Sequence, residues 1–156
     1  RGRRVLMFPF PRVPLPPLLA RLHELLEAHA EETEDGVLII EQDRRPTPGT
    51  AALLPVIMFV PAKPRPDAKE GRVAPELIVE LAVPGVESRE GRYARAGVRE
   101  YWRVEPAPAG PLKIVVLQDP DAATSRFRRS TEHVGADPVV SSIMPALRLA
   151  PADLGA

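Results

Sequence analysis

The sequence predicts an α/β (α+β) domain, and three observations carry that reading. One segment repeats leucine at helical spacing. Several short aliphatic runs are each closed by proline or glycine, as strands are. The chain of 156 residues is long enough for one domain, residues 1–156, with a sizeable core.

Taken in order, Arg3 to Phe10 reads as a short apolar strand that stops at Pro11. Pro14, Pro16 and Pro17 mark a turn and a preset helix start. Leu18, Leu19, Leu22, Leu25, Leu26 and His29 recur at i, i+3, i+4, i+7 and i+8, which predicts an amphipathic helix from Pro17 to about Glu32. Glu31, Glu32, Glu34 and Asp35 crowd its C-terminal end against the helix dipole, and Gly36 is expected to close it. Val37 to Gln42 reads as a strand, and Arg44 to Thr50 as a turn or loop. Leu53 to Val60 is a strongly apolar strand interrupted by Pro55, and Pro61 to Gly71 is a polar loop. Glu76 to Val83 is the next strand, ended by Pro84-Gly85. Glu87 to Ala96 reads as a short helix capped by Gly97. Tyr101 to Val104 and Leu112 to Gln118 read as a hairpin around Pro106 to Pro111, with one more strand at Ser125 to Arg129. Val139 to Leu154 mixes strand-like and turn-like residues and carries no clear period.

Composition excludes several classes. Lys plus Arg and Asp plus Glu both number 21, so net charge gives no global pull toward nucleic acid or acidic membranes. There is no cysteine, which rules out disulfide scaffolds and thiolate metal sites. No uninterrupted apolar run reaches the roughly 18 residues of a membrane span. Prolines in the basic and apolar start argue against a signal peptide, so the expected location is cytoplasmic. Asparagine is absent and proline abundant, a bias shared by heat-adapted proteins and GC-rich genomes.

Among residues that carry chemistry, Glu80 stands out because it interrupts an aliphatic strand. A buried carboxylate is costly unless paired, hydrogen-bonded or bound to metal. Glu76 shares its strand face but lies about 13 Å away along the strand, too far to share one ion with it. Glu24 and Glu27 can reach a site on the sheet only if the first helix turns them toward it; otherwise they lie on its solvated face. His23 and His29 lie about 240° apart around a helix and cannot share a metal, which needs i, i+4 spacing. His133 is a structural or surface residue, and Asp67 reads as plain surface. Arg89, Arg92, Arg95 and Arg99 would form a basic stripe on a continuous helix, although Glu87, Glu90 and Gly97 dilute or end it. Arg126, Arg128 and Arg129 form a second basic cluster. Tyr93, Val98, Tyr101 and Trp102 read as packing residues.

The order of elements, with Pro-Glu-Leu-Ile-Val-Glu at 75–80, Tyr-Ala-Arg-Ala-Gly-Val-Arg-Glu-Tyr-Trp at 93–102 and Val-Glu-Pro at 104–106, resembles the Uma family of restriction-type endonucleases in the PD-(D/E)xK superfamily. That resemblance implies a mixed central β-sheet flanked by helices, DNA as substrate and Mg²⁺ as cofactor. Its chemistry is metal-assisted phosphodiester hydrolysis, which needs two carboxylates on neighbouring strands and a nearby cation.

Measured against that pattern, Glu80 matches the second acid and is the expected metal ligand. The first acid falls at Val56, after Pro55, so a carboxylate is replaced by valine. Ala82 and Val83 stand where the family carries a serine, and Leu15 or a neighbouring proline stands where it often carries a histidine. Arg89 and Arg92 are the cations available in place of the family's lysine, and arginine cannot lose a proton to act as a base. The reading that follows is a degenerate, catalytically impaired member. Two alternatives stand beside it: a weak metal-dependent DNA endonuclease using Glu80, and a non-catalytic module for self-association, as a homodimer, or for nucleic-acid binding. Glu80 is expected to be held by Arg89 or Arg92.

Overall fold

The computed structural model describes residues 15–42, 55–63, 75–82, 89–107 and 110–155. The expected strand at Arg3 to Phe10, the loop at Arg44 to Thr50 and most of the polar loop that holds Asp67 lie outside them.

Helix α1 runs Pro17–Thr33, with proline at its start where a missing N–H costs nothing. The periodic leucines explain its seat: Leu19, Leu22 and Leu26 are each fully buried. Each contributes roughly 1.5–3 kcal/mol by leaving water. The helix ends differently from the expectation. Glu34, not Gly36, adopts the left-handed cap conformation at φ 56°, and its N–H bonds the Ala30 carbonyl. Gly36 opens the next strand, where a Cβ would run into the Val60 carbonyl and the Phe59 ring. Close backbone approach, rather than capping, is its reason for being glycine.

Six strands form one sheet in sequence order: β1 Gly36–Gln42, β2 Pro55–Pro61, β3 Leu77–Leu81, β4 Glu100–Glu105, β5 Lys113–Asp121 and β6 Arg126–Val134. All neighbours are antiparallel except β3 and β4, which run parallel. A parallel pair needs a crossover, and α2, Glu90–Ala96, lies in that connection. Gly97 caps α2 at φ 80°, as the sequence predicts. The expected β4–β5 hairpin forms, and β6 extends well past Arg129. This mixed sheet with two helices is the α/β architecture read from the sequence.

Alternation along each strand splits the sheet into two faces. One face carries Ile57, Phe59, Leu77, Val79, Trp102, Val104, Ile114 and Val116 and packs against α1. Val139, Met144, Leu147, Leu149 and Leu154 from the C-terminal segment join the same core, and Pro151–Leu154 forms a 3-10 turn there. The other face carries Val56, Ile78, Tyr101, Val115 and Leu117 and meets α2 through Ala94. α2 itself sits over β5 and β6. No helix among the described residues is long and apolar enough to cross a membrane.

Candidate functional site

Glu80 sits on β3 in the α2-side face and is only 7% exposed. Antiparallel pairing sets Val56 of β2 directly across from it, and parallel pairing sets Arg103 of β4 on its other side. Val56 in turn faces Glu41 of β1. A row of side chains therefore crosses the sheet as Glu41, Val56, Glu80, Arg103. Positions 56 and 80, which the resemblance led us to expect as a pair, are brought together, and residue 56 is a valine.

Two phenols hold the Glu80 carboxylate. The Tyr93 hydroxyl on α2 donates to Oε2 at 3.0 Å, and the Tyr101 hydroxyl on β4 donates to Oε1 at 3.3 Å. The two rings pack at 5.2 Å between centroids, tilted by 56°, and Tyr101 stacks on Phe127 at 6.2 Å. Burial holds the Tyr93 phenol protonated well above the usual tyrosine range, and the Glu80 charge and hydrogen bond push the same way. Arg89, at the N-terminal cap of α2, hydrogen-bonds the same phenol and its charge pulls in the opposite direction.

Of the two arginines expected beside Glu80, Arg89 stands in the same cluster. The hydrogen bonds shown on the carboxylate come from tyrosines, and Arg89 approaches through Tyr93. Arg92 is exposed on α2. The wider arginine stripe also breaks up. Arg95 bonds the Ser125 hydroxyl at 3.1 Å, and Arg99, beyond the end of α2, lies 3.9 Å from Glu76. Arg103 is occupied by Glu90 at 3.6 Å and Glu105 at 3.2 Å. Glu24 and Glu27 are exposed on α1, a helix that packs on the face opposite Glu80, so neither can complete its site. His23 pairs with Glu27 at 3.7 Å, and His133 is buried against Asp137 at 2.9 Å.

Sequence reasoning missed the more deeply buried acid. Glu100 on β4 is 0% exposed and lies on the α1 face. Its Oε2 accepts from Trp102 Nε1 at 2.8 Å and Ser141 Oγ at 2.5 Å. Its Oε1 accepts from Gln118 Nε2 at 2.7 Å, Ser142 N at 2.9 Å and Ser142 Oγ at 3.0 Å. Five uncharged donors thus replace the water that the carboxylate lost on burial. The available signal was alternation: in Glu-Tyr-Trp, an acid at 100 must share a face with Trp102 if that indole is core.

A six-stranded mixed sheet with helices on both faces is an α/β fold consistent with a restriction-endonuclease-like domain. Residues 17–144 match the family model Uma2, described as "putative restriction endonuclease", and the chain belongs to that family. No curated protein matches the chain. The family suggests a divalent metal and a DNA substrate. The described side chains do not fit a metal of that kind. No group of three His, Cys, Asp or Glu among them could hold an ion. Val56 offers no oxygen, and each Glu80 oxygen already accepts a phenol.

Proposed function

We propose that this chain is a catalytically impaired member of the restriction-endonuclease-like family, in which a two-carboxylate metal site has become a tyrosine-capped single carboxylate. The observation that carries this reading is Val56 standing across the β2–β3 pair from Glu80. Side chains directly opposite in an antiparallel pair have Cβ atoms about 4.5–5.5 Å apart, the spacing at which two carboxylates share an ion. A valine there leaves Mg²⁺ with one protein carboxylate and none opposite. Weakening a single element of such a site costs orders of magnitude in rate.

The remaining groups bind and hold protons rather than generate a nucleophile. The two phenols donate to the Glu80 carboxylate as neutral groups. Arg89 stays charged and suits phosphate contact, but it cannot serve as a base. Exposed Arg92, Arg126 and Arg129 add cations that suit a non-specific grip on a polyanion. DNA is therefore the polymer to test first, with binding separated from cleavage.

Calorimetric titration with Mg²⁺ and Mn²⁺, run beside a Glu80→Ala control, tests the proposal. The expected result is no saturable binding in either protein and no plasmid nicking at high protein concentration. Saturable binding lost in Glu80→Ala, together with metal-dependent nicking, would overturn the impaired reading in favour of a weak endonuclease.

A further inference from the structure

We propose that residues 139–154 form a strap that opens and closes on the α1 face as one unit, with Glu100 as its latch.

The backbone pattern carries the first half of this. Val139 N bonds Leu149 O at 2.7 Å, Leu147 N bonds Met144 O at 3.0 Å, and Asp153 N bonds Ala150 O at 2.9 Å. Ala152 N closes on Gly135 O at 2.9 Å, at the foot of the segment. These bonds stay within the segment and its approach. The first three of these bonds lie wholly inside residues 139–154, so those groups keep their partners when the segment leaves the sheet. Its apolar grip comes from Val139, Met144, Leu147, Leu149 and Leu154 on the α1 core.

The latch carries the second half. Ser141 Oγ, Ser142 N and Ser142 Oγ all donate to Glu100, a carboxylate that belongs to the sheet. Hydrogen bonds to an ionised acceptor are roughly twice as strong as neutral ones. Three such bonds concentrate the polar attachment of the strap at one side chain. Trp102 and Gln118 donate to Glu100 from the sheet side, so they stay with it when the strap leaves, and water replaces the other three donors. Opening therefore does not strand a bare buried charge, the outcome that would forbid it. The family match ends at Met144, inside the strap, while Leu147, Leu149 and Leu154 beyond it still fill the core.

Hydrogen exchange by mass spectrometry on the full chain tests the proposal. In the wild type, amides of the strap are expected to exchange together and faster than those of β2 to β5, as a sub-global unit does. Glu100 is buried enough that replacing it risks the whole fold, so Ser142→Ala and the Ser141→Ala/Ser142→Ala pair carry the test. Both are expected to speed exchange at Val139, Leu147, Ala152 and Asp153 by tenfold or more. Exchange in β2 and β5 should stay within twofold, and Trp102 emission should shift because its indole shares the acceptor. Tyr93→Phe, on the opposite face, should leave strap exchange unchanged. A strap that exchanges at the same rate as the sheet would overturn the proposal. So would serine variants that accelerate sheet and strap equally, or that leave the strap unaffected.

Discussion

Val56 and Glu80 face each other across one pair of strands, so a single substitution tests what the site lacks. Val56→Asp places a second carboxylate opposite the first in a position that is 6% exposed. Without metal, two facing buried acids repel and lose solvation, at a cost on the order of 3 kcal/mol. A bound divalent ion reverses that, and a hundredfold excess over Kd returns about 2.7 kcal/mol. The expected outcome is a variant with a lower Tm than wild type that Mn²⁺ raises again, beside a wild type whose Tm does not respond. A variant indifferent to Mn²⁺ would show that Glu80 and residue 56 are not a latent pair. The tyrosine cap gives a second test. Tyr93 ionises above its ordinary value of 10.0 in the folded protein. A group whose folded pKa is raised contributes stability below the unfolded pKa and loses it as pH climbs through the folded one. Stability should therefore fall as pH rises above 10, and Tyr93→Phe should flatten that fall in urea titrations across alkaline pH. The same substitution should cost about 1–2 kcal/mol at neutral pH, because it removes one donor from a buried carboxylate. Glu80 was legible in the sequence because an acid in an aliphatic run is conspicuous. Its phenol donors were not, because the parallel β3–β4 register that brings Tyr101 beside it leaves no trace in local spacing. Glu100 escaped for a similar reason. Two of its donor residues, Ser141 and Ser142, come from a segment some forty residues further on.

The elements divide by how much of their structure is local. α1 was readable almost to the residue, since three buried leucines repeat at one helical period and proline sets the start. The strands were readable because proline and glycine punctuate them, and α2 because glycine ends it. The C-terminal strap was not readable. Its burial alternates irregularly through Val139, Met144, Leu147 and Leu149, and its shape is fixed by the α1 core and by Glu100. The misassigned role of Gly36 shows the same divide. Glycine after a helix predicts a cap, yet Glu34 tolerates the left-handed conformation, and strand packing claims the glycine instead. Gly36→Ala should leave α1 intact, as judged by far-ultraviolet circular dichroism. It should still lower the denaturation midpoint by an amount equivalent to roughly 1–3 kcal/mol, because the new Cβ forces β1 away from Val60 and Phe59. A loss of helical signal with an unchanged midpoint would restore the capping explanation.

At the scale of the whole molecule, the two edges of the sheet are built differently. β6 carries Arg126, Arg128, Arg129 and Glu132, all exposed, and charge on an edge discourages pairing with another sheet. β1, the opposite edge among the described strands, reads Gly-Val-Leu-Ile-Ile-Glu-Gln, with no charge before Glu41 and no proline. Val37 within it is 51% exposed. With Lys plus Arg equal to Asp plus Glu, long-range repulsion between copies is weak, so the local chemistry of an edge decides whether two sheets meet. Val37→Lys puts a charge at the exposed end of this aliphatic run without touching the core. Its effect on folding stability should stay within about 0.5 kcal/mol in urea denaturation. Aggregation followed by light scattering on mild heating should slow markedly, whereas Arg128→Val on β6 should speed it by stripping charge from the guarded edge. If Val37→Lys aggregates as fast as wild type, the β1 edge is not where copies meet, and its aliphatic run serves only the sheet's own packing.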